Sequence, residues 1–534
     1  MEIHDFIVVG SGCTGVMAAQ TLAERGEKVL VIDGGITDDH YASLLPEKNF
    51  SDLRRTDDSQ ERYFLGDNFE SFPENELGTG AQLTPARQFL IRETEKYLPL
   101  VSENFSPVES LAEGGLGGGW GLGCCVFSPN ELKKAGLPES EMAEAYQVVS
   151  DRIGISAAND DARKFTAAQL RDVQEAPPAG PSALSLLEKY ASKKNRLNRN
   201  GFFLGRPALA LLTKEKDGRQ PLAFRDMDFY EDAGNAAWRP AVAIRQLRKK
   251  SNVRFESGWM ATHFSETDDC VSVHAMKIGT DEEKIFRCRR LILSPGVLGT
   301  ARIVLRSMPG GGEKKLPLLC NPYTYVPCLV PSRLGKKMPE KDFGFAQLSL
   351  FHDADGTESD IAMASLYTYR SLLLFRLIRE TPLNYRDGRI FMQHIAPALL
   401  IAGIHHPEIF RDTQHLFLEK STSTLTGDQL HVNYRRGDAD EEVKRREKKY
   451  VSALRSMGAW ALKTVRPETG ASIHYAGTLP FSAEEKAFTL HPDGKLHGTK
   501  NVYVADGSGF TFLPAKGLTL SLMANAHRVA RGVK

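Results

Sequence analysis

The chain has 534 residues, of which 41% are hydrophobic, and its 68 basic residues almost balance its 67 acidic ones. This length is enough for two or more hydrophobic cores. The balanced charge gives no indication of nucleic-acid binding or of a polybasic membrane anchor. The longest apolar stretches, 361–378 and 395–404, are interrupted by arginine or are too short for a membrane span of about 20 residues.

The cysteines and the start of the chain bear on the cellular compartment. The seven cysteines form neither a disulfide framework nor a Cys-x-x-Cys motif, which is typical of a reducing compartment. The first predicted strand begins almost at Met1, so no signal peptide is expected. We therefore expect a cytoplasmic protein without a transmembrane segment.

The N-terminal stretch carries the clearest motif. A short β-branched strand, residues 7–9, leads into Gly10, Gly12 and Gly15, a G-x-G-x-x-G pattern that precedes a helix of small and apolar residues. These glycines permit a tight turn, let the backbone approach a pyrophosphate and let the helix pack on the strand. The next strand ends in Asp33, whose carboxylate can accept hydrogen bonds from a ribose diol. The spacing predicts a dinucleotide-binding unit, the alternative being a glycine-rich turn in another α/β fold.

A second glycine-rich stretch covers residues 113–123, after an amphipathic helix predicted over 85–98. So many glycines exclude an ordinary helix or strand. They would let the backbone lie against a flat ligand, with Trp120 packed on its edge. A flexible linker is the alternative, but linkers seldom contain tryptophan, and an apolar run follows at 124–127. We therefore favour a loop that faces a ligand.

The middle of the chain combines helices with antiparallel strands. Helices are predicted over residues 139–154 and 184–194, and another begins after Asn235. Alternation of apolar and polar residues predicts antiparallel strands over 253–264, 271–278 and 284–288.

A return to the first sheet and a second domain follow. Residues 289–305 predict a strand, a turn and a helix, which would bring the chain back to the first sheet. From about 316 to 435 the pattern favours a sheet-based second domain with covering helices, with strand-like segments at 323–330, 345–351 and 429–434. A long charged amphipathic helix is predicted over 440–465.

The C-terminal part carries two further patterns. The first is the run His474-Tyr-Ala-Gly477-Thr478. The second is a strand that ends at Asp506, followed by a loop and a helix from about Thr519. This arrangement places another helix N-terminus, with its positive dipole end, beside the ligand edge of the sheet.

In this order the motifs resemble the glucose–methanol–choline (GMC) family of FAD-dependent oxidoreductases. The resemblance spans the chain and rests on the N-terminal glycine fingerprint with Asp33, the loop 117–123 with Trp120, the run 294–302, the run 474–478, and the stretch 501–508 with the terminal helix. It implies an α/β fold, in which a discontinuous Rossmann-like FAD-binding domain carries a second, α+β substrate domain built on an antiparallel sheet. It also implies oxidation of an alcohol by hydride transfer to flavin N5.

The resemblance and the predicted elements together divide the chain into five segments. The FAD-binding domain would comprise residues 1–130, 235–312 and 490–534. Residues 131–234 would be mixed and belong partly to the substrate domain, and 313–489 would form the substrate-binding domain itself.

The resemblance also assigns roles to single residues. His474 would be the base that takes the hydroxyl proton, which suits an imidazole that titrates near neutral pH. The N–H groups around Thr519 would face the pyrimidine carbonyl of the flavin and stabilise its reduced, anionic form. The predicted FAD-binding residues are Gly10, Gly12, Cys13, Thr14, Gly15, Asp33, Gly34, Gly117, Gly118, Gly119, Trp120, Met260, Pro295, Gly296, Asp506, Gly507, Leu518 and Thr519.

The sequence departs from the family at the second active-site position. Relatives usually have His or Asn just before the terminal helix, where this chain offers Ala515, Lys516 and Gly517. Lys516 is the candidate catalytic residue, to hold an alkoxide or an anionic substrate group, and a lysine that faces solvent is the alternative. Relatives with covalent flavin use a His or Cys in the central glycine loop. No His is present there, and Cys124 and Cys125 are offset, so we expect non-covalent FAD.

The substrate is expected to be a secondary hydroxyl of a sugar, glycoside or polyol, because the loop with Trp120 is similar to that of carbohydrate-modifying bacterial members. Apolar stretches at 366–378 and 395–404 keep a hydrophobic or sterol-like alcohol as an alternative. A flavin-binding lyase of the same fold and a nicotinamide-dependent enzyme are further alternatives. The electron acceptor can be oxygen, a quinone or a protein. No nucleic-acid partner is expected, and no metal site either, because His405, His406, His491 and His497 lack ligand spacing.

Overall fold

A mixed seven-stranded sheet forms the first layer of the protein. The computed structural model describes residues 2–38, 40–69, 84–228, 230–368 and 382–533. Ile3–Val9 lies between Val29–Asp33 and Glu283–Leu293, and all three run parallel. Val253–Ser257 and Val502–Val504 extend this parallel part on its two sides. Because the carboxyl ends of parallel strands meet at one edge, Gly10, Asp33, Ser294 and Asp506 are brought to the same edge.

Two further strands, of which Val271–Lys277 runs in the opposite direction, complete this sheet. Trp259–Glu266 and Val271–Lys277 form an antiparallel meander on the N-terminal part of Glu283–Leu293. The predicted strand 253–264 is therefore two strands, and its first half is parallel to its neighbour rather than antiparallel. The break lies at Gly258, which has a φ of +86° and turns the chain.

The first and last helices of the chain pack side by side on this sheet. They are Cys13–Glu24 and Thr519–Gly532. Thr21 Oγ1 lies 2.7 Å from His527 Nδ1, and Arg25 Nη1 donates to the carbonyl oxygens of Ala530 and Val533, each at 2.7 Å. The two ends of the polypeptide thus form one structural unit.

A six-stranded antiparallel sheet forms the second layer. Its strands, in spatial order, are Trp460–Ala461, Tyr323–Leu329, Leu399–His405, Ala362–Thr368, Leu348–His352 and Phe202–Gly205. Helices Pro181–Arg199 and Ala439–Ser456 contribute to the core that covers one face of this sheet. The predicted fold class is therefore confirmed: an α/β unit with a second α+β unit built on an antiparallel sheet. The division of the chain at particular residues stays a prediction.

Smaller sheets and helices complete the described part of the chain. The smaller sheets contain Leu100–Val101, Gly123–Cys124, Ser156–Ala157, Gln174–Glu175, Ala208–Leu209, Leu316–Pro317, Leu319–Cys320, Gln414–Lys420, Asp428–Tyr434 and Tyr475–Ala476. The other α-helices are Phe50–Thr56, Glu61–Phe64, Thr94–Tyr97, Pro129–Ala135, Glu139–Ile153, Arg163–Thr166, Pro240–Leu247, Val297–Ser307 and Tyr385–Ile395. The 3-10 helices are Tyr41–Leu44, Pro85–Ile91, Gly115–Gly119, Gly311–Glu313, Pro331–Arg333, Ala396–Ala398 and Gly507–Gly509.

Three predicted elements differ from the structure. The helix predicted over 85–98 is a 3-10 helix, Pro85–Ile91, and a short α-helix, Thr94–Tyr97, separated at Glu93, which has a φ of 65°. The helix predicted over 440–465 ends at Ser456, just before Gly458, whose positive φ cannot continue a helix. The strand predicted over 429–434 pairs in a separate four-stranded sheet rather than in the six-stranded one.

The apolar stretches do not form membrane-spanning helices in the part of the chain that the structure describes. The stretch 395–404 ends in the buried strand Leu399–His405. The stretch 361–378 begins with the strand Ala362–Thr368, and its remainder lies outside the described residues. Within the same described ranges, no three His, Cys, Asp or Glu side chains gather in a way that would hold a metal ion.

Candidate active site

One large cavity, of about 1030 Å³, lies between the carboxyl edge of the parallel strands and one face of the antiparallel sheet. The loops after the parallel strands, the glycine-rich loop and the start of the terminal helix form its first wall, and the antiparallel sheet forms the opposite wall. A cleft at the carboxyl ends of parallel strands is the usual place for a nucleotide ligand. The cavity is therefore the candidate active site.

The N-terminal glycines form a close backbone cradle at one end of the cavity. A Cβ atom on Gly15 would overlap the carbonyl oxygen of Gly10, so only glycine lets the helix pack this closely on the strand. Gly12 is the N-cap of helix Cys13–Glu24 and has no side chain to cap the helix, which leaves the first N–H groups of the helix available to an anion. This geometry fits a pyrophosphate.

Asp33 stands at the end of the neighbouring strand. Its carboxylate accepts hydrogen bonds from the backbone N–H of Ser11 at 3.1 Å, from the hydroxyl of Ser11 at 2.7 Å and from the N–H of Gly35 at 2.7 Å. Burial raises the pKa of Asp33 to about 6. The carboxylate is thus fixed in orientation at the edge where a ribose would lie.

The glycine-rich loop packs tightly on the start of the first helix. A Cβ atom on Gly117 would lie 2.6 Å from the Sγ atom of Cys13 and 2.6 Å from Pro240. Trp120 is held by a hydrogen bond of 2.9 Å from its Nε1 to the carbonyl oxygen of Trp238. The loop is therefore a fixed wall of the cavity in the structure, and the linker alternative is not favoured.

Asp506 and Ser294 follow two other parallel strands. The Asp506 carboxylate accepts hydrogen bonds from Thr300 Oγ1 at 2.6 Å and from the Oγ and N–H of Ser508 at 2.6 and 3.0 Å. Its hydrogen bonds thus anchor the turn that carries Gly507 into the cavity wall. The hydroxyl oxygen of Ser294 is buried and has no hydrogen-bond partner among the described residues.

His474 also lines the cavity. Its Nδ1 atom is 3.0 Å from Oδ1 of Asn321. Its ring stacks on that of His405, with ring centroids 4.8 Å apart and planes inclined by 20°. Burial lowers the pKa of His474 to about 4. The imidazole is therefore neutral at neutral pH and able to accept a proton.

The antiparallel sheet turns alternate side chains towards the cavity. The sheet residues that line the cavity are Tyr323, Tyr325, Pro327, Ser349, Met363, Ser365, Tyr367, Thr368, Ile401 and His405. The residues between them, such as Val326 and Ile404, belong to the core beneath the sheet. Gly403 lies at the centre of this face, paired with Tyr325 on one side and Ser365 on the other. A Cβ atom on Gly403 would overlap the hydroxyl of Tyr323, so glycine makes room for that ring.

Lys516 lies behind the cavity wall rather than on it. Its Nζ atom is 2.8 Å from Oε2 of Glu131 and donates to the carbonyl oxygen of Val126 at 3.2 Å. The side chain is 1% exposed, and Lys516 is not among the residues that line the cavity, whereas its neighbour Gly517 is. The structure thus places the Lys516 ammonium group against Glu131 rather than on the cavity wall, and it excludes the alternative of a lysine that faces solvent.

Nearly all the predicted site residues meet at this single cavity. The predicted residues that do not line it are Gly15, Gly118 and Lys516. Gly15 lies against Gly10. The carbonyl oxygen of Gly118 accepts hydrogen bonds from the guanidinium groups of Arg87 and Arg239.

Sequence reasoning missed the contribution of the antiparallel sheet to the cavity. The sequence predicts only a strand over 323–330, which contains Tyr323 and Tyr325. It shows His405 only as one of two adjacent histidines without the spacing of metal ligands. The period-two pattern of Tyr323–Leu329 contained the signal, because it places Tyr323 and Tyr325 on the face opposite the core. Asn321 had no signal of its own in the sequence.

A family comparison agrees with the geometry of this cavity. Residues 408–526 match the family model for GMC oxidoreductases. The resemblance to that family is therefore confirmed over this part of the chain.

A solved structure shows the same fold over the whole chain. The protein is similar to pyridoxine 4-oxidase from Mesorbium loti, with a TM-score of 0.56 and 14% sequence identity over 99% of this chain and 98% of that chain. No curated protein sequence matches this chain.

Proposed function

We propose that the protein oxidises a secondary hydroxyl of a neutral, hydroxyl-rich molecule, such as a sugar, glycoside or polyol, with His474 as the base. The observation that carries this proposal is a neutral imidazole on the wall of the same cavity that the glycine cradle and Asp33 line. A base and a hydride acceptor in one cavity suit the removal of a proton and a hydride from the same carbinol.

The residues of the cradle fit FAD. The N–H groups at the start of Cys13–Glu24 would hold the pyrophosphate, and Asp33 would accept hydrogen bonds from the ribose. The first N–H groups of helix Thr519–Gly532 would face the flavin ring, because Leu518 and Thr519 line the cavity. Bound FAD supplies the hydride acceptor.

We propose that FAD binds without a covalent bond. The position before Trp120 is Gly119, which has no side chain to form such a bond. Cys124 and Cys125 line the cavity, but burial holds the pKa of both thiols above its usual value, which disfavours the thiolate needed for attachment. Heat denaturation is expected to release the flavin into the supernatant. Yellow colour that stays with the precipitated protein would contradict this proposal.

His474 has the protonation state that a base requires. Burial disfavours its charged form, so Nε2 carries a free lone pair at neutral pH when the ring proton sits on Nδ1. Nε2 has no hydrogen-bond partner in the described part of the chain, and the ring lines the cavity. It would take the hydroxyl proton as the hydride leaves the carbon.

We propose a structural role for Lys516 in place of the predicted catalytic one. Its ammonium group is buried against Glu131, and the cavity wall at this point is formed by Gly517, which has no side chain. His405 is the second polar group that we place next to the substrate, since it lines the cavity beside His474. Burial and the neighbouring His474 hold its pKa well below the usual value, so it would meet a hydroxyl as a neutral imidazole.

The sheet face supports a neutral substrate with several hydroxyl groups. None of the described sheet residues that line the cavity is charged when His405 is neutral. Tyrosyl and seryl hydroxyls on this face can exchange hydrogen bonds with substrate hydroxyls, and aromatic rings can pack on a sugar ring. Pro327, Met363 and Ile401 on the same face favour a hydrophobic alcohol as the second candidate.

An anaerobic flavin-reduction screen tests the proposed function. Sugars, glycosides, polyols, hydrophobic alcohols and sterols would be added separately to the FAD-bound protein, followed by air. Bleaching at 450 nm by a neutral sugar or polyol is the expected result, and rapid return of colour in air would identify oxygen as the acceptor. Bleaching by hydrophobic alcohols alone would favour the second candidate. Turnover of a cyanohydrin without bleaching would indicate a lyase.

We infer that the protein acts in the cytoplasm, because its seven cysteines form neither a disulfide framework nor a Cys-x-x-Cys motif, a pattern typical of a reducing compartment.

A further inference from the structure

The backbone places Asn321 directly beside His474. Strand Leu319–Cys320 pairs with Tyr475–Ala476, and the antiparallel register joins Leu319 to Ala476 and Cys320 to Tyr475. The next pair in this register is Asn321 and His474. Two residues from distant parts of the chain thus become cross-strand neighbours, which brings their side chains within hydrogen-bond distance.

The surroundings of Asn321 fix the orientation of its amide. Its Nδ2 atom donates to the carbonyl oxygens of His406 at 2.8 Å, Leu513 at 3.3 Å and Pro514 at 3.2 Å. Carbonyl oxygens only accept hydrogen bonds, so the NH2 group must face them, and Oδ1 must face His474. The Asn321 side chain is buried, which leaves no water to satisfy a rotated amide.

A fixed amide oxygen selects one form of the imidazole. Oδ1 of Asn321 lies 3.0 Å from Nδ1 of His474 and can only accept a hydrogen bond. The proton of the neutral ring must therefore sit on Nδ1, and Nε2 is left as the acceptor. The other titratable side chain in ring contact with His474 is His405, which is itself neutral and makes no competing hydrogen bond to Nδ1 among the described residues.

We propose that Asn321 is a positioning residue, which holds His474 in the Nδ1–H tautomer so that Nε2 is the proton acceptor in the cavity. This role deepens the proposed function and rests on it. Asn321 does not touch the cavity itself and acts through His474. It also ties the base to the carbonyl groups of Leu513 and Pro514, just ahead of the terminal helix that lines the nucleotide end.

The test uses a readout that does not depend on any substrate. The FAD-bound protein would be labelled with 15N-histidine, and the signals of His474 would be identified by their loss in His474→Gln. In the parent protein the long-range 1H–15N spectrum at pH 7 should show a protonated Nδ1 and an unprotonated Nε2. In Asn321→Asp a carboxylate would face Nδ1–H, which should raise the apparent pKa of His474 by about one unit or more.

Asn252 offers a matched control for this test. Its Nδ2 atom also donates to backbone carbonyl oxygens, those of Ala23 at 3.0 Å and Glu27 at 2.9 Å, and it does not line the cavity. Asn252→Asp removes an equivalent amide and should leave the tautomer and pKa of His474 unchanged. A parent protein with its proton on Nε2, or an Asn321→Asp variant with an unchanged His474 pKa, would overturn the proposal. Neither result depends on which alcohol is oxidised.

A second variant, Asn321→Ser, keeps the test usable if Asn321→Asp does not fold. Asn321→Ser retains a polar group but cannot reach both the carbonyl oxygens and Nδ1. With a native flavin spectrum, this variant should show a mixture of the two tautomers. Persistence of the pure Nδ1–H form would show that Asn321 does not select it.

Discussion

The Nζ atom of Lys516 lies 2.8 Å from Oε2 of Glu131, and both side chains are almost completely buried. Glu131 also closes the capping box of helix Pro129–Ala135, because its carboxylate accepts the backbone N–H of Ser128 while Ser128 Oγ accepts the N–H of Glu131. The ion pair therefore joins that helix to the loop ahead of the terminal helix. A buried charge of this kind is tolerated only when it is paired.

Removal of one partner of this ion pair should destabilise the protein more than removal of both. Lys516→Met would leave the Glu131 carboxylate buried without its counter-charge, at an expected cost of about 3–5 kcal/mol in the free energy of unfolding. The double variant Lys516→Met with Glu131→Gln keeps the capping acceptor, and it should recover most of this loss. Urea unfolding measures both effects.

The same variants distinguish a structural from a catalytic Lys516. With the alcohol found in the reduction screen, the double variant should reduce flavin at nearly the parent rate. A large loss of rate in a stable double variant would restore the catalytic role. Lys500→Met, which breaks the exposed ion pair with Asp268, serves as the control and should leave stability unchanged.

His474→Gln should slow the reduction of bound flavin by the substrate by about 10²–10⁴-fold, the usual contribution of a general base. FAD content should stay near that of the parent, because His474 is not part of the glycine cradle or of the Asp33 strand end that we propose to hold the nucleotide. Anaerobic rapid-mixing absorbance at 450 nm gives the rate. His415→Gln, on strand Gln414–Lys420 of a separate four-stranded sheet and not among the residues that line the cavity, is the control. An unchanged rate in His474→Gln would refute the assignment of the base.

The pH dependence of flavin reduction should reflect the low pKa of His474. Burial lowers this pKa from 6.5 to about 4, so the ring is neutral and active above that value. Protonation below it removes the acceptor, and the rate should then fall about tenfold per pH unit. The rate should therefore be nearly constant between pH 7 and 5. A midpoint near 6.5 would show that the imidazole is not desolvated.

FAD affinity should weaken as the pH falls through about 6, the value to which burial raises the pKa of Asp33. The ionised carboxylate accepts hydrogen bonds from a ribose, whereas its protonated form has lost part of that capacity. Fluorescence titration of the apoprotein with FAD between pH 7.5 and 5 would measure the dissociation constant. In Asp33→Asn the affinity should be lower at pH 7.5 and should lose this pH-dependent part. A parent affinity that does not change with pH would contradict the prediction.

Gly403→Ala should weaken substrate binding without loss of FAD. The new methyl group would displace the ring of Tyr323. Overpacking of this kind costs about 1–3 kcal/mol, so KM should rise by about fivefold or more. Gly312→Ala, at an exposed site where a Cβ meets nothing within 4 Å, is the matched control. Equal KM values in both variants would place the substrate away from this sheet face.

The nucleotide half of the site could be predicted because its signal is local. The strand 7–9, the glycines at 10, 12 and 15, and Asp33 follow one another closely in the sequence. The positive φ of Gly10 and the contact of Gly15 with the Gly10 carbonyl are local backbone requirements. A local backbone requirement of this kind can be recognised from the spacing of residues in the sequence. The same holds for the helix that begins at Thr519.

The substrate half was decided by the tertiary structure. Asn321 contacts His474 because two short strands, separated by more than 150 residues in the sequence, pair with each other. No local sequence pattern predicts such a pairing. Lys516 is the opposite case. Its position in the sequence suggested a place in the active site, but its side chain is buried against Glu131 and does not line the cavity. The sequence alone indicated the backbone that we propose to hold the dinucleotide and the imidazole that we propose as the base. Long-range strand pairing and burial of charge decided which side chains reach the cavity, because both depend on contacts between segments far apart in the chain.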